Sequence, residues 1–319
     1  MRSNTACRLA TATFSLIALA FATPGGATAA EWPSKPIEFI VPWSPGGGTD
    51  QVGRALAPIL SEILGTPIPV INKPGGAGVV GHTAIRQAEP DGYTFGFITP
   101  QLLTAPILGT SKLSFTELTP LAMVNSDPGA VTVAANAPWT SLQEFVAHAK
   151  ANPGKVRVGN SGKGGTWHMV AVELERKADL KLVHVPYNGA APATRDMLGG
   201  HIEAVTVSAA EVRAQVEGGL ARMLAVTAPE RVEAFSSVPT AKSQGLDITL
   251  GTWRGLALPP GVPAPVVERM QAAVAKAVAD PRFKQFMEKQ GFGIRYLDGP
   301  AFMAFLKAQD AAYREFFGS

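Results

Sequence analysis

Residues 41–50 read VPWSPGGGTD. The apolar run IEFIV (37–41) leads into them, and Val52, Ala55, Leu56, Ile59, Leu60, Ile63 and Leu64 follow with helical spacing. An apolar run of strand length and then a 3.6-residue period predict a strand, a tight loop and a helix over 50–64. Glycines between the two let a ligand approach the backbone with no Cβ in the way. A helix opening at such a loop presents unpaired N–H groups and a partial positive charge. The segment Pro45 to Asp50 therefore has the chemistry of a cradle for a carboxylate or phosphate, with Thr49 or Asp50 as N-cap. Taken alone, it also reads as a plain flexible connector.

The same alternation continues outward. Strand-like runs recur at 68–72, 93–98, 156–159, 182–185, 203–207 and 223–227, and helical patterns at 79–88, 141–151, 166–177, 190–198 and 209–217. Near-continuous apolar strands alternating with helices imply an α/β fold with a parallel sheet covered on both faces. Pro58 lies inside the first helix and is expected to kink it. Two α/β units emerge, about 36–124 and 125–252. TWRGLALPPGVPAP (252–265) breaks the alternation, and helices follow at 263–279, 281–290 and 299–316 around a short strand, IRYL (294–297). That tail has too little core of its own and is expected to pack on the first unit. The chain then crosses between units twice, near 121–126 and 250–256. Two crossings make a hinge, and a hinge between two lobes makes a cleft. The resulting division is lobe I at 30–124 plus 253–319 and lobe II at 125–252.

The second unit repeats the glycine device. VRVG (156–159) leads through Asn160, Ser161, Gly162, Lys163, Gly164, Gly165 and Thr166 into a helix. The Ser161 and Thr166 hydroxyls add to the backbone donors. In a parallel sheet such loops gather at one edge, where ligands bind. Lys163 reads as a solvated loop charge, and His168 either faces the cleft or packs on its lobe.

The chain has 319 residues, enough for about two domains. Arg2 and Arg8, the apolar FSLIALAFA (14–22) and Ala27-Thr28-Ala29 have the layout of a secretory signal over 1–29, cut after Ala29 or Ala30. The apolar stretch is shorter than the roughly 20 residues that span a bilayer. Cys7 is the only cysteine and lies in this leader, so the mature chain has no disulfide, thiol nucleophile or thiolate metal site. Of 28 basic residues, Arg2 and Arg8 go with the leader, leaving 26 against 25 acids. No basic run marks a nucleic-acid surface, and any preference for an anion must come from a local site.

Three other motifs fail on context. Gly76-Ala77-Gly78-Val79-Val80-Gly81 fits the G-x-G-x-x-G dinucleotide fingerprint, but Asn72-Lys73-Pro74-Gly75 separates it from its strand and no acid ends the next one. It reads instead as a loop that lets a helix pack closely. Gly159-Asn160-Ser161-Gly162-Lys163 misses the last glycine of G-x-S-x-G, and no histidine stands where a hydrolase base belongs. His82, His148, His168, His184 and His201 are scattered without metal-ligand spacing. No cofactor, metal or catalytic residue is expected. Arg254, in Gly251-Thr252-Trp253-Arg254-Gly255 at the second crossing, is placed for a bidentate pair with a bound carboxylate or for an interlobe ion pair.

With both loops and the hinge in view, the chain resembles the substrate-binding proteins of tripartite tricarboxylate transporters, the Bug family. The likeness rests on Trp32 to Ile37, VPWSPGGGTD, Asn72 to Gly78, Pro90-Asp91-Gly92-Tyr93-Thr94, VPYNGAAPATRDMLGG (185–200) and LAVTAPERVEAFSSVPTAKSQG (224–245). It implies a two-lobed periplasmic binding protein that closes on a small organic anion and passes it to transmembrane permease subunits, working as a monomer and without catalysis. A ligand-presenting sensor or an exported enzyme on the same frame, with His168 beside Ser161, are the alternatives.

By motif, the resemblance assigns the ligand carboxylate to Ser44, Gly46, Gly47, Gly48, Thr49 and Asp50 in one lobe. In the other it assigns Ser161, Gly162, Gly164, Gly165 and Thr166. It adds Tyr187 and Gly189 in the next loop and Thr99 after the third strand. Many members carry an acid where this chain has Val207 or Ser208, and an apolar residue where it has Arg254. Those two departures favour a di- or tricarboxylate, citrate first, over an amino acid.

Overall fold

The computed structural model describes residues 32–318, so the expected leader and Cys7 lie outside the described residues. Strand β1 (Glu38–Val41) and helix α1 (Gly48–Leu64) form where the opening motif predicts them. Side chains alternate across a strand, and both faces of β1 are covered. Phe39 and Val41 share a core with Val52, Leu56 and Leu60 of α1. Ile40 points the other way, into a cluster with Ile85 and Leu102. That is why the run shows no polar alternation. Helix α1 continues through Pro58, which is exposed.

Parallel pairing is confined to the two flanks of the sheet. β1 lies between β2 (Val70–Asn72) and β3 (Thr94–Ile98), and the helix α2 (Val79–Arg86) joins those two. On the other flank β5 (Arg157–Asn160) lies between β6 (Val183–Pro186) and β7 (Ala204–Ser208), joined through α5 (Thr166–Ala178) and α6 (Ala190–Leu198).

The centre corrects the expectation of a parallel sheet. β4 (Thr119–Ala134) is one strand of 16 residues that runs through both halves. β9 (Gly251–Leu258) pairs antiparallel with it from Thr119↔Leu258 to Pro128↔Gly251, and also antiparallel with β3. β7 and β8 (Ala221–Val226) pair antiparallel with the far end of β4. The strand order is β2-β1-β3-β9-β4-β7-β5-β6 in a single mixed sheet of ten strands. The segments near 121–126 and 250–256, where the crossings are expected, lie in the paired strands β4 and β9. Asn125-Ser126-Asp127-Pro128-Gly129 has residue types that favour a turn, yet it is extended and pairs with β9 in continuous register from Asn125↔Arg254 to Pro128↔Gly251; the register shifts lie earlier, between Pro120 and Ala122 and between Met123 and Asn125.

The C-terminal segment packs as expected. α8 (Ala264–Ala279) and α9 (Pro281–Gln290) lie against α1. β10 (Ile294–Asp298) pairs with β4, and α10 (Gly299–Phe317) buries Phe302, Leu306 and Tyr313 beside Leu102 and Leu103. Those two leucines belong to α3 (Gln101–Ile107), a short helix that the sequence pattern does not announce. The opposite half has its own core, where Phe145 of α4 (Leu142–Ala151) meets Val131, Val158 and Leu174. Among the described residues no helix is long and apolar enough to cross a membrane.

Candidate functional site

The two glycine loops both contribute to a cavity that Thr252 and Arg254 of β9 also line. Ser44 N–H donates to the Asn188 carbonyl at 3.1 Å, joining the loop after β1 to the loop after β6. Thr104 Oγ1 of α3 donates to the Gly164 carbonyl at 2.8 Å. A small cavity of about 20 Å³ lies between the halves, lined by Gly47, Gly48, Thr49, Thr99, Ser161, Gly189 and Arg254 among the expected residues. An outer hollow of about 690 Å³ opens beside it, lined by Ser44, Gly162 and Tyr187, with Ala77 and Val80 opposite Lys163 and Pro192.

The first loop turns one glycine donor, Gly48 N–H, across the cleft and spends the others locally. Its N-cap is Gly47, not Thr49 or Asp50. Asp50 is the third helical residue, and its carboxylate accepts from Gly46 N–H at 2.9 Å, Arg54 Nε at 3.0 Å and Asn72 Nδ2 at 2.9 Å. Burial works against the charged form of Asp50, but those hydrogen bonds outweigh it and hold the carboxyl below its usual value. Asp50 thus braces the turn, while Gly48 N–H points across the cleft to Glu211 Oε1 at 2.9 Å. A Cβ on Gly48 would stand 2.5 Å from Arg254 Nη2 and 2.8 Å from Glu211 Cγ. Only glycine allows that approach.

The second loop spends its donors on itself. Gly162 N–H goes to Asn160 Oδ1 at 3.0 Å, Gly165 N–H to the Gly162 carbonyl at 2.9 Å and Gly164 N–H to His168 Nδ1 at 3.2 Å. What remains is hydroxyl chemistry. Ser161 Oγ and Thr166 Oγ1 are buried without a hydrogen-bond partner, and Ser161 lines the cavity. Gln101 Oε1, a buried acceptor at the start of α3, also lines it unpartnered.

His168 packs on its own half rather than reaching the cavity. Its ring meets His184 edge-on at 4.8 Å, and His184 bonds Glu175 at 2.8 Å. Burial, with His184 beside it, pushes His168 down to about 4, so the ring is neutral and Nδ1 can accept. Thr99 is backed by His82 at 3.3 Å, and burial pushes His82 down to about 3. Tyr187 donates its hydroxyl to Asp196 at 2.7 Å, and burial and that carboxylate raise the phenol to about 12.

Arg254 forms the floor and is 2% exposed. Nε donates to Thr49 Oγ1 at 3.0 Å, Nη1 to Asn125 and Asp127, and Nη2 lies 3.4 Å from Glu211 Oε1. Asp127 also accepts from Asn125 Nδ2 at 3.0 Å and Gly293 N–H at 2.8 Å. Arg254 is therefore ion-paired with acids of the protein itself, Asp127 and Glu211.

Sequence reasoning missed Asp127, Glu211 and Gln101. Glu211 had a signal: Ser208-Ala209-Ala210-Glu211 has the spacing of a capping box. Ser208 does cap α7 (Ala209–Glu217), and that box fixes Glu211. The absence of an acid at 207–208 does not remove acid from the cleft, because Glu211 supplies it.

The sequence profile described as the tripartite tricarboxylate transporter family receptor, TctC, matches residues 52–316. The chain belongs to this family. A UPF0065 protein of Cupriavidus necator is 32% identical to the receptor over 287 residues, covering 89% of this chain and 87% of the relative. A solved TctC solute-binding protein from Polaromonas, described as without ligand, is 42% identical and covers 90% of this chain and 99% of its own, with a TM-score of 0.64. A periplasmic transporter structure that is only 30% identical superposes better, at 0.86 over 90% of this chain and 98% of its own. Sequence distance does not account for that order. Two Rhodopseudomonas palustris proteins, each 24% identical, share the fold at TM-scores of 0.83 and 0.85 and are described with bound malate and with adipate. They cover 89% of this chain and 99% and 97% of their own. The receptor is a two-lobed α/β solute-binding protein of the tripartite transporter type, a periplasmic class that is not enzymatic.

Proposed function

We propose that the receptor captures a small organic carboxylate, a di- or tricarboxylate such as citrate, between lobe I (30–124 plus 253–319) and lobe II (125–252). It then delivers the acid to its permease subunits. One observation carries this reading: the α1 N-terminus and Ser161, from opposite halves, line a single cavity with a buried guanidinium beneath. Backbone donors of α1 hold the carboxylate, the Ser161 and Thr166 hydroxyls approach from lobe II, and Arg254 adds charge from the floor. Ser44, Tyr187 and Gly162 line the mouth. The malate and adipate held on the same fold elsewhere agree with an acid of this size.

A cavity of about 20 Å³ has room for about one water molecule, so the lobes part to admit the acid and its bonds favour the closed form. The spread of TM-scores between relatives agrees with lobes that change their mutual arrangement. Residues 1–29 act as a cleaved signal, and the mature chain works in the periplasm as a monomer without turnover.

Calorimetry of the mature chain against a panel of organic acids tests the reading. A bound acid at a hundred times its Kd raises stability by about 2.7 kcal/mol, with no product formed. No heat and no melting shift with any acid would refute it, and steady turnover would make it an enzyme.

A further inference from the structure

The α1 cradle is already engaged by a carboxylate of the protein itself. Glu211 stands on α7, in the second half of the sheet, yet its Oε1 accepts the Gly48 N–H at 2.9 Å. Oε2 accepts the Ser208 N–H at 3.0 Å, so the side chain is held at its root as well. Arg254 Nη2 lies 3.4 Å away, and the Glu211 side chain is 5% exposed. A carboxylate held by a helix N-terminal N–H and a guanidinium sits where an incoming carboxylate would bind. Glu211 is the only acid lining the inner cavity among the described residues.

We propose that Glu211 determines which acids the receptor takes: those with a hydroxyl or ammonium group beside the carboxylate. This rests on the carboxylate reading above. A solute that takes the Gly48 N–H brings its negative charge against the Glu211 carboxylate. Two carboxylates in one buried site repel, because little water screens them. Arg254 does not offset both charges, since its guanidinium also serves Asp127, Asn125 and Thr49. A hydroxyl or ammonium next to the solute carboxylate donates to the freed Glu211 oxygen and turns that repulsion into a hydrogen bond. An acid without the donor leaves a buried acceptor unpaired, which is the strongest kind of discrimination a polar site exerts. Gln101 Oε1, unpartnered and lining the same cavity, favours a donor-bearing solute for the same reason.

Matched acids provide the test: malate and aspartate against succinate, lactate against propionate, and mandelate against phenylacetate. Within each set the frame is constant and the donor is present or absent. Titration calorimetry on the wild-type chain is expected to show a preference of about tenfold or more for the donor-bearing acid in whichever set binds. Glu211→Gln removes the charge and should reduce that preference to about threefold or less while tightening the plain acid. Glu211→Asp withdraws the carboxylate by one methylene, so it should weaken the preference in the same direction and serves if the first variant does not fold. Equal affinity within a set, or a preference that survives in both variants, overturns the role of Glu211. Failure of every acid to bind folded wild-type protein refutes the carboxylate reading itself, and this inference with it.

Discussion

The two glycine loops look alike in sequence and behave differently. Ser44 to Asp50 and Ser161 to Thr166 each join a strand to a helix through several glycines. In the first, the glycine N–H at the head of α1 is turned outward, to a carboxylate from the other half. In the second, the N–H groups of Gly162, Gly164 and Gly165 close on Asn160, His168 and Gly162. The decisive difference is the residue that feeds the turn. Asp50 satisfies the outer donor of the first loop and leaves the inner one, Gly48 N–H, to Glu211 of the other half, whereas Asn160 and His168 satisfy the donors of the second from within its own segment. A glycine run can therefore serve as an anion cradle only where its own segment leaves a donor unused, as the first loop leaves Gly48 N–H to an acceptor from the other half.

The largest expected effect falls on the floor that both loops share. Arg254→Ala leaves Asp127 and Glu211 buried without their cation, which should cost about 3–5 kcal/mol of stability in urea unfolding. A loss under about 1 kcal/mol would mean that the network is not held together by its charge.

Next come the glycines. Gly48→Ala should destabilise the closed arrangement by about 1–3 kcal/mol through overpacking against Arg254 and Glu211, and should weaken acid binding with it. Gly164 has φ of +75°, and a Cβ there would stand 2.1 Å from Leu108 Cδ1. Gly164→Ala should cost about 1–2 kcal/mol of folding stability, with acid affinity changed less than in Gly48→Ala. The reverse ranking in calorimetry would show that the second loop is the true cradle.

Two neutral histidines also stand behind the site, His82 behind Thr99 and His168 behind Gly164 of the second loop. In the unfolded chain both take a proton near 6.5, while in the fold burial holds them down to about 3 and about 4. The unfolded state thus binds more protons in that interval. Their contribution is complete above 6.5 and declines on acidification toward 4 and 3, with a slope of at most about 1.4 kcal/mol per pH unit for each site. His168→Gln should flatten the upper part of that decline. A wild-type stability that stays level between pH 6.5 and 4 would contradict the burial of both rings.

The smallest effect is expected at Ser161. Its hydroxyl has no partner within the described residues. Ser161→Ala should therefore leave thermal stability unchanged and reduce acid affinity by about 0.5–1.5 kcal/mol. Unaltered affinity would remove the second loop from the site altogether.

The local frame was legible because short-range signals determined it. Apolar runs and 3.6-residue periods placed eight of the ten strands among the described residues, all but β4 and β9, and the helices other than α3. What escaped was non-local. β4 hides behind Asn125-Ser126-Asp127-Pro128-Gly129, whose local preference for a turn is overridden by pairing with β9 and β10. Arg254 was identified as a hinge residue, but its partners lie 127 and 43 positions away, and no local pattern joins them. Glu211 was readable as a cap; that the same carboxylate reaches Gly48, 163 positions earlier, follows only from the way α1 and α7 face each other.

The β4–β9 ladder has a mechanical consequence. Arg254 pairs in register with Asn125, and Thr252 with Asp127, so under the proposed lobe motion the buried ion pair would sit on its axle. A force applied at an axle exerts almost no torque. Contacts to Arg254 can tighten a solute but can do little to draw the jaws together. Leverage belongs to groups carried out on the arms, Gly48 on one side and Ser161 and Glu211 on the other.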